Sequence, residues 1–460
     1  MVDTPQRLAT NIAAMADTPA ANITAQEQRD FVMSADPEAR GVFNVKAFGA
    51  KGDGVTNDSV ALASAYSAAN NSPQGTLFIP PGVYMHDGLD WLNMECEVVG
   101  ASRAASELKL RAGNSRSVIK TETQANTDFG RHGPSIRNLK ITGNNEGALG
   151  NYGIEMSSSK SHNIRNCSIN DSGDSLITVN DSVTASHHNM FIDLTLVPGT
   201  NLATLNRPLI EVSGVANGNN FRRINCFGTQ GSRDVLGVIG AISVYDAGGS
   251  TVNTWNVFED IVFQTFSIAA GGAFVTIESA KEITFRNMKL WDPVTQPSGT
   301  STYYRIKRGS GTNTGGHWIT DRNPGNFTGS GGTLDSTVEI DDDWCVVDIS
   351  HQAHDQNVLL KSGALYNDIT IHGKSANSTH QGANPMVVPA VVDNSGNDTN
   401  TYRIAHGRGR GVMPPRGTTA ERGTMDDGFG AAQSGFQWYD TTTNKMTFWN
   451  GSAWETVTSS

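Results

Sequence analysis

The chain of 460 residues has room for one large domain with smaller modules at its ends. Its 49 glycines, 17% charged residues and net charge of −11 favour a turn-rich β protein and exclude nucleic acid as an evident partner. The longest apolar run, VLGVIGAISVY, is far short of a membrane span, so no membrane insertion is expected.

The first segment, MVDTPQRLATN, lacks the basic start and apolar core of a secretory signal. Behind it ITAQEQRDFVMS (23–34) predicts a short helix in which Thr24 and Glu27 form a capping box. FGAKGDGVTND (48–58) then raises three ligand readings. A phosphate loop needs a Lys after its last glycine, but Val55 and Thr56 follow Gly54. The dinucleotide fingerprint needs the reverse glycine order, and Asp53 and Asp58 do not fit a calcium loop. The flanks read better: FNVKAF alternates as a strand, and Asp58 or Asn57 can cap a helix carrying Val60, Leu62, Ala63, Tyr66 and Ala69. GTLFIPPGVY is a strand stopped by Pro80, Pro81 and Gly82.

Together, FNVKAFGAKGDGVTND, the short helix and GTLFIPPGVY resemble the opening of the pectate-lyase-3-like group of right-handed parallel β-helices. That group includes bacterial polysaccharide-degrading enzymes and phage tail spikes. The resemblance implies that residues 41–100 cap the N-terminal end of a β-helix, with Asp53 and Gly54 in structural roles.

From about residue 130 one pattern returns: IRNLKI, IRNCSI, FIDLTL, FRRINC, FEDIVF, FRNMKL and YNDITI. Its third positions, 138, 166, 193, 223, 260, 287 and 368, are separated by 28, 27, 30, 37, 27 and 81 residues. A period near 27 suits one coil of a solenoid, and the last step leaves room for two disguised coils. The alternation slips at the Asn or Asp, which predicts a corner in the left-handed conformation that these residues tolerate. Cys167 and Cys226 fall at apolar positions and read as inert core. The four cysteines form no C-x-x-C pair, so neither zinc nor a disulfide framework is expected.

An earlier strand of each coil reads IEM, ITV, IEV, ISV, VTI and VDI, giving an outward column of Glu155, Thr178, Glu211, Ser243, Thr276 and Asp348. Two coils at the strand spacing would separate Glu155 from Glu211 by roughly 9.6 Å. That lies near the upper end of the range for an inverting glycosidase, so this pair is the first candidate for acid and base. Solvated surface glutamates are the bland alternative. NDSGDS faintly resembles the Asp-bearing motif of polygalacturonases without its doubled Asp, leaving Asp171 and Asp174 as turn residues or reserve candidates. A Gly-rich insertion, 293–335, carries Tyr304, Arg305, Arg308 and His317, which could form an elimination site or remain a solvated loop. Arg165 and Arg222, in a column before the corners, and Trp318 are candidate substrate contacts.

Past residue 405 a linker-like stretch leads to FQWYDTTTNKMTFWNGSAWETV, which is similar to small C-terminal modules of phage tail fibres. Its three tryptophans predict a compact aromatic core or a trimer contact, with sugar stacking as the sharper reading.

The expected fold is therefore all-β: a right-handed single-stranded parallel β-helix over 41–405 (cap 41–100, coils about 101–405), with an N-terminal helical attachment segment at 1–40 and a linker plus small β module at 406–460. The resemblance implies a homotrimeric phage tail spike or fibre in the virion, joined to a tail or baseplate protein through its N-terminus. It would bind a bacterial surface polysaccharide, capsule or lipopolysaccharide, and depolymerise it by glycosidic hydrolysis. A non-catalytic receptor-binding fibre and a lyase acting by β-elimination are the alternatives. No cofactor or metal is expected, because no ligand cluster has suitable spacing.

Overall fold

Short β-branched and aromatic runs, interrupted every few residues by Asn, Asp or Gly, cannot build long strands; here they build many short ones stacked in parallel. The computed structural model describes residues 41–122, 134–145, 150–180, 186–199, 206–228, 234–236, 240–246, 253–264, 266–269, 271–291, 302–309, 314–321, 336–350, 356–373, 391–396, 399–406, 416–417, 437–440, 442–450 and 452–457. One wall is an eleven-stranded sheet running from Leu89–Leu92 through Ile154–Ser157, Ile177–Asn180 and Ile210–Ser213 to Val391–Asp393. A nineteen-stranded sheet supplies the other two walls. The second wall contains Asn163–Arg165 and Thr284–Arg286; the third contains Ser168–Asn170 and Lys289–Trp291. Met190–Val197, Asn220–Phe227 and Val257–Gln264 bend across the corner between them. The chain is a parallel β-helix.

The corner chemistry follows the repeat. Asn138, Asn166, Asp193, Arg223, Asp260 and Asn287 all have φ between 50° and 60°. Arg223 has no special tolerance for that conformation, and its guanidinium is tied back to Asp193 one coil earlier, at 2.6 Å. The seventh repeat is out of phase. Tyr366 takes the left-handed φ of 58°, and Asp368 already begins the strand Asp368–Gly373 of the second wall.

The two disguised coils are present as Trp318–Asp321 and Val346–Ser350, in register between Phe285 and Ile369. Segment 293–335 is therefore not an insertion where it is described: Thr302–Lys307 is a rung of the first wall and Trp318–Asp321 a rung of the second. Glycine-rich connections had hidden their alternation. Asp348 also moves, pairing with Thr320 and Thr370 on the second wall, while Arg305 and Glu339 continue the column that it was expected to join.

Two ladders tie the coils together. Phe191, Phe221, Phe258 and Phe285 stack at 4.6 to 4.7 Å with ring planes within 6° of parallel. At the corner leading into the second wall, Asn189, Asn219 and Asn256 are fully buried. The Asn219 carboxamide oxygen accepts from both the backbone and the side-chain nitrogen of Asn189, and Asn256 does the same for Asn219. Amides that a hairpin would pair with a partner strand are thus satisfied one coil away.

In the cap, Gly52 has φ 63°, and a Cβ there would lie 2.7 Å from the Tyr84 ring, so only glycine fits. Asp58 does not cap the helix Ser59–Asn70 with its side chain; its carboxylate accepts from the Lys51 and Gly52 amides instead, and Asn57 Oδ1 accepts from the Ser59 amide. Leu62, Ala65, Tyr66 and Ala69 are buried, whereas Val60 faces solvent. Hydrogen bonds from the Thr56 amide and hydroxyl and the Val55 amide hold the Asp53 carboxyl down to about 2, the signature of a loop staple. At the other end, Arg416–Gly417, Gln437–Asp440, Lys445–Trp449 and Trp454–Thr456 form a four-stranded sheet that buries Trp438 and Trp449, the latter meeting Trp454 edge-on. The helix predicted at 23–34 lies outside the described residues. All four cysteines are buried and unpaired.

Two buried histidines are expected to make this fold acid-sensitive. His86 and His162 are fully buried, and burial lowers them to about 3 and about 4. His86 Nδ1 accepts from the Gly88 amide, a bond lost on protonation. Because the folded values lie below the unfolded value of about 6.5, the unfolded chain binds more protons as the pH falls through 6.5. Between pH 7 and pH 5 the pair is expected to remove about 4 kcal/mol of stability. Urea midpoints at the two pH values check this; a midpoint that does not fall at pH 5 refutes it.

Candidate functional site

The residues just before each first-wall strand, together with the outward positions of those strands, converge on one face. Register places Asp90, Lys120, Glu155, Thr178, Glu211, Ser243 and Thr276 side by side in successive coils. Glu155 and Glu211 are thus two rungs apart, with Thr178 between them. They are not equivalent, however. Glu155 borders a cleft of about 400 Å³ with Lys120, Arg116, Asp90 and Ser117, accepting from Ser117 Oγ at 2.5 Å and from Lys120 Nζ at 3.2 Å.

Glu211 is only 4% exposed, although its register position is in the outward column, so the solvated-surface alternative does not describe it. One of its oxygens accepts from the Tyr245 phenol at 2.5 Å. The other accepts from Ser175 Oγ at 3.3 Å and lies 2.8 Å from Arg207 Nη2.

Arg207 organises the rest. Its Nε donates to the fully buried carboxylate of Asp174 at 2.7 Å, and its Nη2 donates to the Tyr152 phenol oxygen at 3.2 Å. Asp174 also accepts from the Gly150 and Ser175 amides, so one side chain fixes both the guanidinium and the lip of the cleft. Burial, then the Asp174 carboxylate, push the Tyr152 phenol up to about 12 against the opposing pull of Arg207. Burial and the bond to Glu211 likewise raise Tyr245. Tyr152 is therefore a partly exposed phenol that its surroundings hold in the protonated form.

The other candidates are scattered. Asp171 occupies a left-handed turn with φ 53° and is raised by burial. Tyr304 is fully buried, its hydroxyl donating to Asp321, and Arg305 leans on Glu339 and the Gly271 carbonyl. His317 is fully buried, with its Nδ1 accepting from the Ile283 amide. Among the described residues of their segment, folding into coils buries Tyr304 and His317 and leaves Arg305 in the outward column of the first wall, so these three side chains do not converge. Arg165, Arg222 and Trp318 stand on the second wall, away from Glu155; Arg222 pairs with Glu259 at 3.2 Å. Among the described residues no group of His, Cys, Asp and Glu could hold a metal ion.

Lys120, Tyr152, Ser175, Arg207 and Tyr245 were missed from the sequence. Aligning the coils on IEM, ITV and IEV would have found several of them, since Tyr152, Asp174 and Arg207 lie two or three residues ahead of those strands.

Residues 42–292, more than half of the chain, match the family described as rhamnogalacturonase A/epimerase, pectate lyase-like. Alginate lyase 7 of Azotobacter vinelandii is 33% identical over 115 residues, covering 24% of this chain and 13% of that protein. Mannuronan C5-epimerase AlgE6 of the same organism is 32% identical over 111 residues, 22% of this chain and 12% of that protein. The chain thus spans about an eighth of the length of these curated relatives. Among solved structures, tailspike protein 3 of bacteriophage CBA120 aligns over 99% of this chain and 76% of its own, at 12% identity and a TM-score of 0.39.

Proposed function

This chain belongs to the rhamnogalacturonase A/epimerase, pectate lyase-like family, and from that premise we propose that it cleaves a uronate-containing polysaccharide by β-elimination on the first wall. The observation that carries this reading is the pair of Lys120 and Glu155 lining the cleft 3.2 Å apart, with the Tyr152 phenol, held by Arg207, within the electrostatic reach of Glu155. Lys120 leaves Glu155 to pair with the substrate carboxylate, which acidifies the adjacent C–H. Glu155 takes that proton, the C–H electrons form the new C=C bond, and the glycosidic C–O bond breaks. The leaving oxygen takes the proton of Tyr152. General acid–base chemistry of this kind needs a carboxylate free to accept and a neutral acid ready to donate.

Hydrolysis by Glu155 and Glu211 finds less support, because Glu211 is buried and both its oxygens already accept from Tyr245, Ser175 and Arg207, while a water must fit between such a pair and the sugar. The names of two relatives, an alginate lyase and a mannuronan C5-epimerase, point to uronate polymers, which supports the same substrate class.

The test is incubation with alginate and with polygalacturonate. Ultraviolet absorbance of unsaturated uronate together with new reducing ends is the expected result. Deuterium uptake from solvent without chain shortening replaces elimination by epimerisation, and reducing ends without absorbance restore hydrolysis.

The setting proposed for this activity is a homotrimeric tail spike or fibre of a phage virion, attached through its N-terminal segment and acting on a bacterial surface polysaccharide. The opening motif at 43–84 and the small aromatic C-terminal sheet support it. Light scattering should give three times the chain mass of 49.0 kDa; a monomer refutes the trimer.

A further inference from the structure

We propose that the corner leading into the second wall carries a second, non-catalytic sugar-binding strip, formed by Trp255, Trp318, Trp344 and Tyr366 and suited to an extended pyranose chain. Among the described residues five Phe, Tyr or Trp side chains are exposed; three of them, Trp255, Trp344 and Tyr366, at 62, 59 and 47%, fall on this corner, Trp318 at 53% opens the strand just after it, and the fifth is Phe227. Trp255, Trp344 and Tyr366 occupy the same slot in their coils, two residues before Val257, Val346 and Asp368, with φ between 57° and 59°. Other coils fill that slot with Ser161, His188, Gly218, Glu282 and Gly316, which also have positive φ. A bulky aromatic is a poor choice for a left-handed turn, so the turn itself does not ask for one. Three aromatics held there with their rings in water call for a ligand.

The strip has the amphipathic character that a sugar ring matches. Trp344 and Tyr366 stack on each other at 4.3 Å and 14°, which holds both rings rigid and leaves the outer face of each for the C–H face of a pyranose. Polar groups are fixed beside the rings. The Trp255 indole N–H donates to Glu282, which Lys281 approaches at 3.4 Å, and Arg308 donates to Asp343, next to Trp344, at 2.6 Å. Each of these charges is paired with an opposite one, and the rings are interspersed with Glu282 and Gly316. Such a surface fits hydroxyl-bearing rings better than a flat apolar face of a second copy.

From the coil of Trp255 to that of Tyr366 there are four rungs, about 19 Å, the reach of a short extended oligosaccharide. The strip begins on the coil whose first-wall strand, Ile242–Tyr245, supplies Tyr245 to the buried cluster. A polymer lying along the first wall can therefore continue onto it. The inference needs a polysaccharide ligand but no particular reaction.

Affinity electrophoresis in gels containing alginate, polygalacturonate or a neutral β-glucan tests it. At least one polymer should retard the parent protein. The double variant Trp344→His with Tyr366→Ser, residues of kinds that other coils accept in this slot, should bind that polymer about tenfold more weakly. Trp255→Ser should weaken it by a smaller factor, and circular dichroism and turnover on short oligomers should stay at parental values. Retardation of the parent by none of the three polymers overturns the proposal, as does equal retardation of the variants. Unchanged polymer affinity with an altered sedimentation mass overturns it in favour of a contact between copies.

Discussion

Tyr152→Phe is expected to lower elimination of a uronate polymer by about 100- to 10,000-fold, the usual worth of a positioned acid or base. The loss should appear in kcat, since the ring that borders the bound sugar remains. Stability should change by about 1 kcal/mol, because a single hydrogen bond, from Arg207, is removed at a partly exposed position. Glu155→Gln should be comparably inactive, as an amide cannot accept the C–H proton. The acid must stay protonated, and Tyr152 is raised to about 12, so the alkaline limb of kcat/KM should lie above the ordinary tyrosine value of about 10. Steady-state kinetics of both variants check this. Parental turnover by Tyr152→Phe, alongside an inactive Glu211→Gln, would return the site to the hydrolytic pair.

Arg207→Ala should be the most destabilising single change at the site, by about 3 kcal/mol. It leaves Asp174, with a side chain 0% exposed, and Glu211, 5% exposed, without their shared cation. The remaining donors, the Gly150 and Ser175 amides and the Tyr245 phenol, keep the loss from being larger. Arg207→Lys should recover part of the stability but little of the activity. A point charge cannot bridge two carboxylates and also donate to Tyr152, as the planar guanidinium does. Urea unfolding with parallel turnover measurements separates the two effects; an Arg207→Ala protein as stable as the parent would remove Arg207 from this role. Glu211→Gln is expected to lower kcat less than Tyr152→Phe, because it only loosens the hold on Arg207.

Much of the architecture was legible in the chain. Asn138, Asn166, Asp193, Asp260 and Asn287 could be placed at corners because Asn and Asp tolerate positive φ better than other residues with a side chain. Strand alternation about those corners gives the coil, and the coil gives the register. The adjacency of Glu155, Thr178 and Glu211 followed from local rules repeated along the chain. Arg223 and Tyr366 broke the rule and carried no local sign of it, and the glycine-rich coils between 293 and 335 were read as an insertion.

The division of labour between the two glutamates was decided only by the tertiary structure. Nothing in IEM or IEV distinguishes Glu155 from Glu211. What does so is Arg207, 52 residues beyond Glu155, and Tyr245, 34 residues beyond Glu211, brought alongside by stacking. Burial, ion pairing and the field on a phenol are properties of neighbours in space. A solenoid draws those neighbours from coils whose intervening turns vary freely in length, so the sequence determined which residues share a wall, and the packing of the turns determined which of them can move a proton.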